Sequence, residues 1–194
     1  MKLDKGRVYP KLPQEYLRLV LNYEGGYSNR KEDLGGETNR GITFRTLERA
    51  KRLGVVDKSV TVRSLSSDLE SVRKIYEYMF YLVSKSHLMP HPLAFAHFDA
   101  SVNHGPGNSG KFLQRTLNKL NCRVDVDGVV GPKTLTALSN CLREHDVLEI
   151  TAIYCFIRLT FYNAIVANHP NQMANYNGWI NRLNKVKTYC ERVV

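Results

Sequence analysis

Three side chains within one short stretch carry the parts of an acid-base site. The segment EGGYSNRKEDLGGETNRGIT, residues 24–43, sets Glu24 before a Gly-Gly pair, Asp33 nine residues on and Thr38 five beyond that. Glu24 follows an apolar helical pattern, so it meets the negative end of that helix's dipole, with Tyr23 and Tyr27 nearby to reduce its solvation. Both effects favour the protonated carboxyl. A carboxylic acid that keeps its proton near neutral pH is what general-acid cleavage of a glycosidic bond requires. Asp33 lies among Lys31, Gly35 and Gly36, where it stays ionised, and Thr38 offers a hydroxyl able to hold a water. One protonated carboxyl, one ionised carboxyl and a hydroxyl are the parts of a glycoside-hydrolysing site. Glu32 and Glu37 compete with Asp33 for the second carboxylate role.

These residues need elements to hold them. Tyr16, Leu17, Leu19, Val20 and Tyr23 give an apolar helical face from Gln14 to about Tyr23, which stops at Gly25-Gly26. Thr43 can cap a helix running to about Leu53, with Gly54 at its stop position. Ser67 and Glu70 read as a capping box for a helix from about Asp68 to Ser84, whose inner face carries Ile75, Tyr78, Met79 and Leu82. PLAFAHFDASVNHG reads as an almost wholly apolar, buried helix that ends near Asn103. The Gly- and Pro-rich GPGNSG, residues 105–110, then marks a lobe boundary, giving lobes over 1–105 and 106–194. Beyond it come a short helix, KFLQRTLNKL, the turn DVDGVVGP, a helix from Lys133 to about Leu142, a long apolar helix from Asp146 to Ala167, and a last helix from Gly178-Trp179 to the end. The fold class expected is mainly α, with at most a small β-hairpin in the opening loop.

The ordered motifs carry a resemblance. E-G-G-Y followed by D-L-G-G-E-T-N-R-G-I-T, with FDASVNHGPG downstream, is similar to glycoside hydrolase family 108, the N-acetylmuramidases found as phage endolysins and as secretion-linked muramidases. LQRTLNKL, VDVDGVVGPKTLTAL, FIRLTFYNAIV and GWINRL resemble that family's C-terminal peptidoglycan-binding module, so the likeness extends over about residues 13–192. The resemblance implies a lysozyme-like helical catalytic lobe followed by a helical peptidoglycan-binding lobe. It implies hydrolysis of the β-1,4 bond between N-acetylmuramic acid and N-acetylglucosamine, in lysis or in toxin and protein export, with Glu24 as the acid and Asp33 and Thr38 beside it. The Asp33-to-Thr38 spacing is one residue shorter than in phage-type lysozymes, and Asp33 keeps the expected nine-residue offset from Glu24. A carboxyl separation of about 5 to 5.5 Å would mean retention at the anomeric carbon, and about 6.5 to 9.5 Å inversion.

Further residues complete the candidate set. Tyr27, Asn39, Thr43, Asn103 and His104 are polar groups at loop or helix-end positions suited to lining a saccharide cleft. In the second lobe Lys111, Gln114 and Asp127 accompany the short helix and the turn that follows it. Arg158 interrupts an otherwise apolar helix one turn before Tyr162, so it needs an anionic partner. That partner is internal, Glu149 or Asp127, or a stem-peptide carboxylate of peptidoglycan. Trp179, the one tryptophan, precedes Arg182 by three residues, a pairing suited to sugar stacking or peptide recognition.

Composition narrows the alternatives. The net charge of +10 is spread evenly: 17 Lys+Arg stand against 12 Asp+Glu over residues 1–105, and 11 against 6 over 106–194. A diffuse positive field suits an acidic cell-wall polymer. With no basic arm and no nucleic-acid-binding signature it argues against DNA or RNA. No stretch reaches the ~18 apolar residues of a membrane span and the first residues carry no secretory h-region. The expectation is therefore synthesis in the cytoplasm, no stable membrane insertion, and action in the periplasm or cell wall after release by another route. Cys122, Cys141, Cys155 and Cys190 have no CxxC or His spacing for a metal, so buried free thiols, no metal and no cofactor are expected. A monomer is expected, and the competing reading is a peptidoglycan-binding protein without catalysis.

Overall fold

The computed structural model describes residues 9–24 and 37–193, so Tyr27, Glu32 and Asp33 lie outside the described residues. The chain is mainly α-helical, with one two-stranded antiparallel hairpin among the described residues. It divides into two compact units, up to Val83 and from Ser84 onward.

In the first unit, α1 (Gln14–Leu21) buries Tyr16 and Val20, one turn apart on a single face. Pro13 precedes it without cost, because the first helical N–H groups have no intrahelical partner. The chain continues in a tight turn in which the Glu24 amide donates to the Leu21 carbonyl at 3.3 Å. Strands β1 (Thr38–Asn39) and β2 (Ile42–Thr43) pair Thr38 with Thr43 and Asn39 with Ile42. The two linking residues, Arg40 at φ 50° and Gly41 at φ 72°, form the two-residue positive-φ turn whose twist matches that of the strands. Helix α2 (Phe44–Arg52) starts at Thr43, whose hydroxyl accepts from the Thr46 amide, and ends before Gly54 at φ 71°. Ile42, Leu47, Ala50, Leu65, Val72, Ile75 and Tyr76 form the core of this unit.

Helix α3 (Leu69–Tyr76) is capped by Asp68, which accepts from the Ser71 amide at 3.0 Å. The Ser67–Glu70 capping box therefore does not form. Ser67 is used by the preceding 3₁₀ turn, donating to the Ser64 carbonyl, and Glu70 pairs with Arg73. After Tyr76 the helix widens into a π-type turn over Glu77–Tyr81. Buried Glu77 faces inward there, accepting from the Leu12 amide at 2.8 Å and from Arg73 at 2.9 Å.

In the second unit, α4 (Leu93–Lys119) packs against α6 (Val147–Asn168) and α7 (Met173–Arg192), with α5 (Pro132–Glu144) joined to its far end. GPGNSG is a kink within α4. Gly105 leaves the helical region at φ 81°, ψ 157°, and Pro106, which needs no amide partner, begins the second half. Every residue from Leu93 to Ser101 is buried. Gly110 and Gly128 bring the helix and the 125–131 turn into backbone contact, since a Cβ on Gly128 would meet the Gly107 carbonyl oxygen at 2.7 Å.

Helix α7 begins five residues before the expected Gly178 start. The Tyr176 hydroxyl donates to Asn163 of α6 at 2.7 Å and anchors this added turn, which outweighs the cost of a glycine inside it. By length and composition alone α6 would suffice to cross a membrane, although it contains Glu149 and Arg158. One face of this helix is packed and carries Arg158. All four cysteines are free; Cys141, Cys155 and Cys190 are buried and Cys122 is only half-buried.

Candidate functional site

The first unit holds Glu24 against the hairpin. A Cβ built on Gly41 would lie 2.7 Å from Glu24 Cδ and 2.9 Å from Cγ, so the carboxyl group occupies the space left by that glycine's missing side chain. The hairpin is itself fixed from behind. Asn39 is buried and donates from Nδ2 to the Val62 carbonyl and to Ser66 Oγ, both at 2.8 Å. The Arg40 side chain donates to the Leu65 and Ser66 carbonyls, while the Tyr76 hydroxyl donates to the Arg40 carbonyl at 2.6 Å. Thr38 and Thr43 sit opposite each other at the base of this hairpin, half-exposed. Asn39 thus spends its amide on the 63–66 turn, and Thr43 serves as the α2 cap.

The second unit gathers a different set. Asp99, fully buried, accepts from Arg158 Nη1 at 2.6 Å and from Arg182 Nε at 2.9 Å. Burial alone would raise the Asp99 pKa, but the two guanidinium groups hold it below the usual carboxylate range. Arg158 is also fully buried; burial opposes its charge and the Asp99 carboxylate outweighs that, keeping its pKa above the ordinary arginine value. The partner of Arg158 is therefore neither Glu149 nor Asp127. Glu149 sits 3.1 Å from His145, and Asp127 accepts from Gln114 Nε2 at 2.6 Å. Helix-to-helix packing of α4 on α6 selects Asp99, a residue 59 positions away in sequence.

Around this pair lies an ordered polar and aromatic chain. The Tyr162 hydroxyl accepts from Arg158 Nε at 2.5 Å and lies 3.0 Å from His104 Nε2. Which of the Tyr162 hydroxyl and His104 Nε2 donates in this contact depends on the histidine tautomer, while Arg158 donates to the hydroxyl in either case. Burial, followed by the positive charge of Arg158, pushes His104 down to about 3, against the opposing pull of Asp99. It is a neutral, half-buried residue at the α4 kink, with Asn103 Nδ2 3.0 Å from its Nε2. Trp179 stacks on the Tyr162 ring, centroids 5.4 Å apart and planes 29° apart. Arg158, Tyr162, Asn103, His104, Trp179 and Arg182 thus form one cluster. Asp99 was missing from the sequence reading, although an acidic residue inside an otherwise apolar helix is the counterpart that a buried arginine demands.

The other nominated residues lie elsewhere in the unit. Gln114 is buried and bridges Asp127, the Gly128 amide and the Val129 carbonyl, tying α4 to the turn. The Val129 amide and Gln114 hold Asp127 below the usual carboxylate range. The Lys111 stem runs beside Gly128. An open groove of about 1190 Å³ runs along α5 and the end of α4, flanked by Arg123, Asp125, Lys133 and Glu144; none of the nominated residues lines it. No group of three or more His, Cys, Asp or Glu side chains among the described residues could hold a metal. Burial, reinforced by the Cys122 thiol, pushes Cys141 up to about 12, and burial raises Cys155 to about 11.

Residues 17–105 match the family model described as glycosyl hydrolase 108, and residues 108–184 match that of a predicted peptidoglycan domain. The seam between the two matches falls at the α4 kink, whereas the compact units meet at Val83 and Ser84. The solved structure titled "Structure of Brucella abortus SagA" superposes with a TM-score of 0.72 at 25% identity, covering 91% of this chain and 92% of that one. The comparison with curated proteins returned no match. Fold and matches together define a lysozyme-type glycoside hydrolase, with peptidoglycan as its substrate, joined to a peptidoglycan-binding module. More narrowly, residues 17–105 carry the likeness to glycosyl hydrolase 108.

Proposed function

We propose that the protein is an N-acetylmuramidase that cuts the β-1,4 bond between N-acetylmuramic acid and N-acetylglucosamine, with Glu24 as general acid. The observation that carries this reading is the seating of the Glu24 carboxyl on a braced hairpin within the segment that matches glycosyl hydrolase 108. A rigid support under an acid suits proton delivery, because transfer requires hydrogen-bond reach to the leaving oxygen. Asp33 supplies the second carboxylate and Thr38 the water-holding hydroxyl in this proposal. In this proposal the protein works as a monomer, its 108–184 module recognises the polymer, and the positive field draws the acidic polymer in. Peptidoglycan lies outside the inner membrane, so the protein acts in the cell wall, in lysis or in the export of a toxin or other protein.

Mass spectrometry of soluble fragments from purified Gram-negative sacculi, after borohydride reduction, tests the bond and the acid together. Wild type is expected to yield fragments ending in reduced muramic acid. Glu24→Gln, with unchanged folding, is expected to lose about 10²- to 10⁴-fold in rate. Fragments ending in reduced glucosamine would refute the bond assignment, and full activity in the variant would refute the role of Glu24. Binding of sacculi without release by either protein would make this a non-catalytic peptidoglycan binder.

A further inference from the structure

We propose that Gly41 is a positioning residue for the acid: its missing side chain is the seat that sets where the Glu24 carboxyl points. This rests on the reading of Glu24 as general acid. Three observations converge on it. Glu24 Cγ and Cδ lie 2.9 and 2.7 Å from where a Gly41 Cβ would stand, closer than any real Cβ contact allows. The seat cannot retreat, because the adjoining Arg40 is pinned through its side chain to the Leu65 and Ser66 carbonyls and through its own carbonyl to the Tyr76 hydroxyl. Asn39, on the strand before the turn, is fixed to Val62 and Ser66. The atoms that a Cβ at position 41 would meet are those at the far end of the Glu24 side chain, so such a Cβ displaces the carboxyl. Displacement of about 1 Å at a reacting group is enough to cost on the order of 10²-fold in rate.

Gly41 also has a positive φ, which alone would penalise another residue, and the fold contains its own control for that. Gly54 has nearly the same φ, +71° against +72°, but nothing lies within 4 Å of a Cβ built there. Gly41→Ala and Gly54→Ala thus share the backbone strain and differ in the contact with Glu24.

The test measures turnover of soluble glycan fragments by both variants beside their thermal unfolding. Gly41→Ala is expected to lower kcat about 10²-fold with KM changed less than about threefold. Gly54→Ala is expected to lose similar thermal stability yet keep kcat within about twofold, because its strain is the same and its space is open. Gly41→Asn brings the same Cβ on a side chain tolerated at positive φ, and is expected to reproduce the loss of kcat if the alanine variant folds poorly. In labelled wild type, a nuclear Overhauser cross-peak between Gly41 Hα and Glu24 Hγ is expected. Its absence, or full kcat in a folded Gly41 variant, overturns the positioning role while leaving the acid assignment intact. A wild type that shows the cross-peak but releases no sugar refutes the acid assignment, and the catalytic meaning of the seat falls with it.

Discussion

At the scale of single residues, the buried histidines make the strongest statement about acid sensitivity. His97 is fully buried in α4; burial pushes it down to about 4, although Nε2 donates to the Ser84 carbonyl at 3.0 Å. His104 is pushed to about 3. Unfolded histidines take up their proton near the ordinary value of 6.5, whereas these two stay neutral while folded. The unfolded state therefore binds more protons below that value, and stability must fall as the pH drops. The loss begins near pH 6.5 and continues until the folded residues titrate, near pH 4 and pH 3. Unfolding free energies from urea titrations at a series of pH values are expected to decline across this window, by at most about 1.4 kcal/mol per pH unit for each histidine. His104→Gln, which removes one titrating group, is expected to show the shallower decline. An equal slope would mean that His104 is already charged in the folded protein.

At the scale of elements, caps and turns decide where helices stop and what they present. The N-cap of α3 is Asp68, not Ser67, and the distinction is measurable. Asp68→Ala removes the acceptor of the Ser71 amide and is expected to cost about 1 kcal/mol, while Ser67→Ala is expected to cost a few tenths or less. Chemical denaturation of the two variants checks this, and equal losses would restore the capping box. The hairpin shows the same logic at higher stakes. Arg40 and Gly41 at positive φ make the tight turn, and that turn carries the bare backbone on which Glu24 rests. The kink in α4 is a third case: Gly105 breaks the helix and Pro106 restarts it, which leaves Asn103 and His104 at the bend facing Tyr162.

At the scale of the whole molecule, charge and the two-part construction matter most. A net charge of +10 gives long-range attraction to an acidic polymer, and salt screens such attraction with a Debye length of about 10 Å at 0.1 M. Binding of sacculi by Glu24→Gln, followed by sedimentation, is expected to weaken steadily as salt rises from about 0.05 to about 0.5 M. Salt-independent binding would mean that short-range contacts carry recognition alone. Within the second unit, the Asp99–Arg158–Arg182 cluster ties α4, α6 and α7 through one buried carboxylate. Removing one partner of such a group leaves the others uncompensated, which makes this the polar centre of that unit.

The sequence by itself determined much of this protein. Apolar periodicity located α1 and α6, Thr43 and Gly54 bounded α2, and the Glu24-to-Gly41 stretch was singled out by residue type, because local chemistry and helical period are written into neighbouring positions. Arg158 was legible as a residue in need of an anion, since a charge cannot sit alone in an apolar helix. Its actual partner was not legible, because Asp99 comes near only when α4 packs on α6 across 59 positions of chain. The same holds for the buried amides of Asn39 and Gln114, which look like free polar groups in sequence and are consumed by backbone contacts in the fold. It holds also for Glu24 and Gly41: their types and order belong to the sequence, but the fit of a carboxyl into the space of a missing side chain exists only once the hairpin folds back beneath the end of α1.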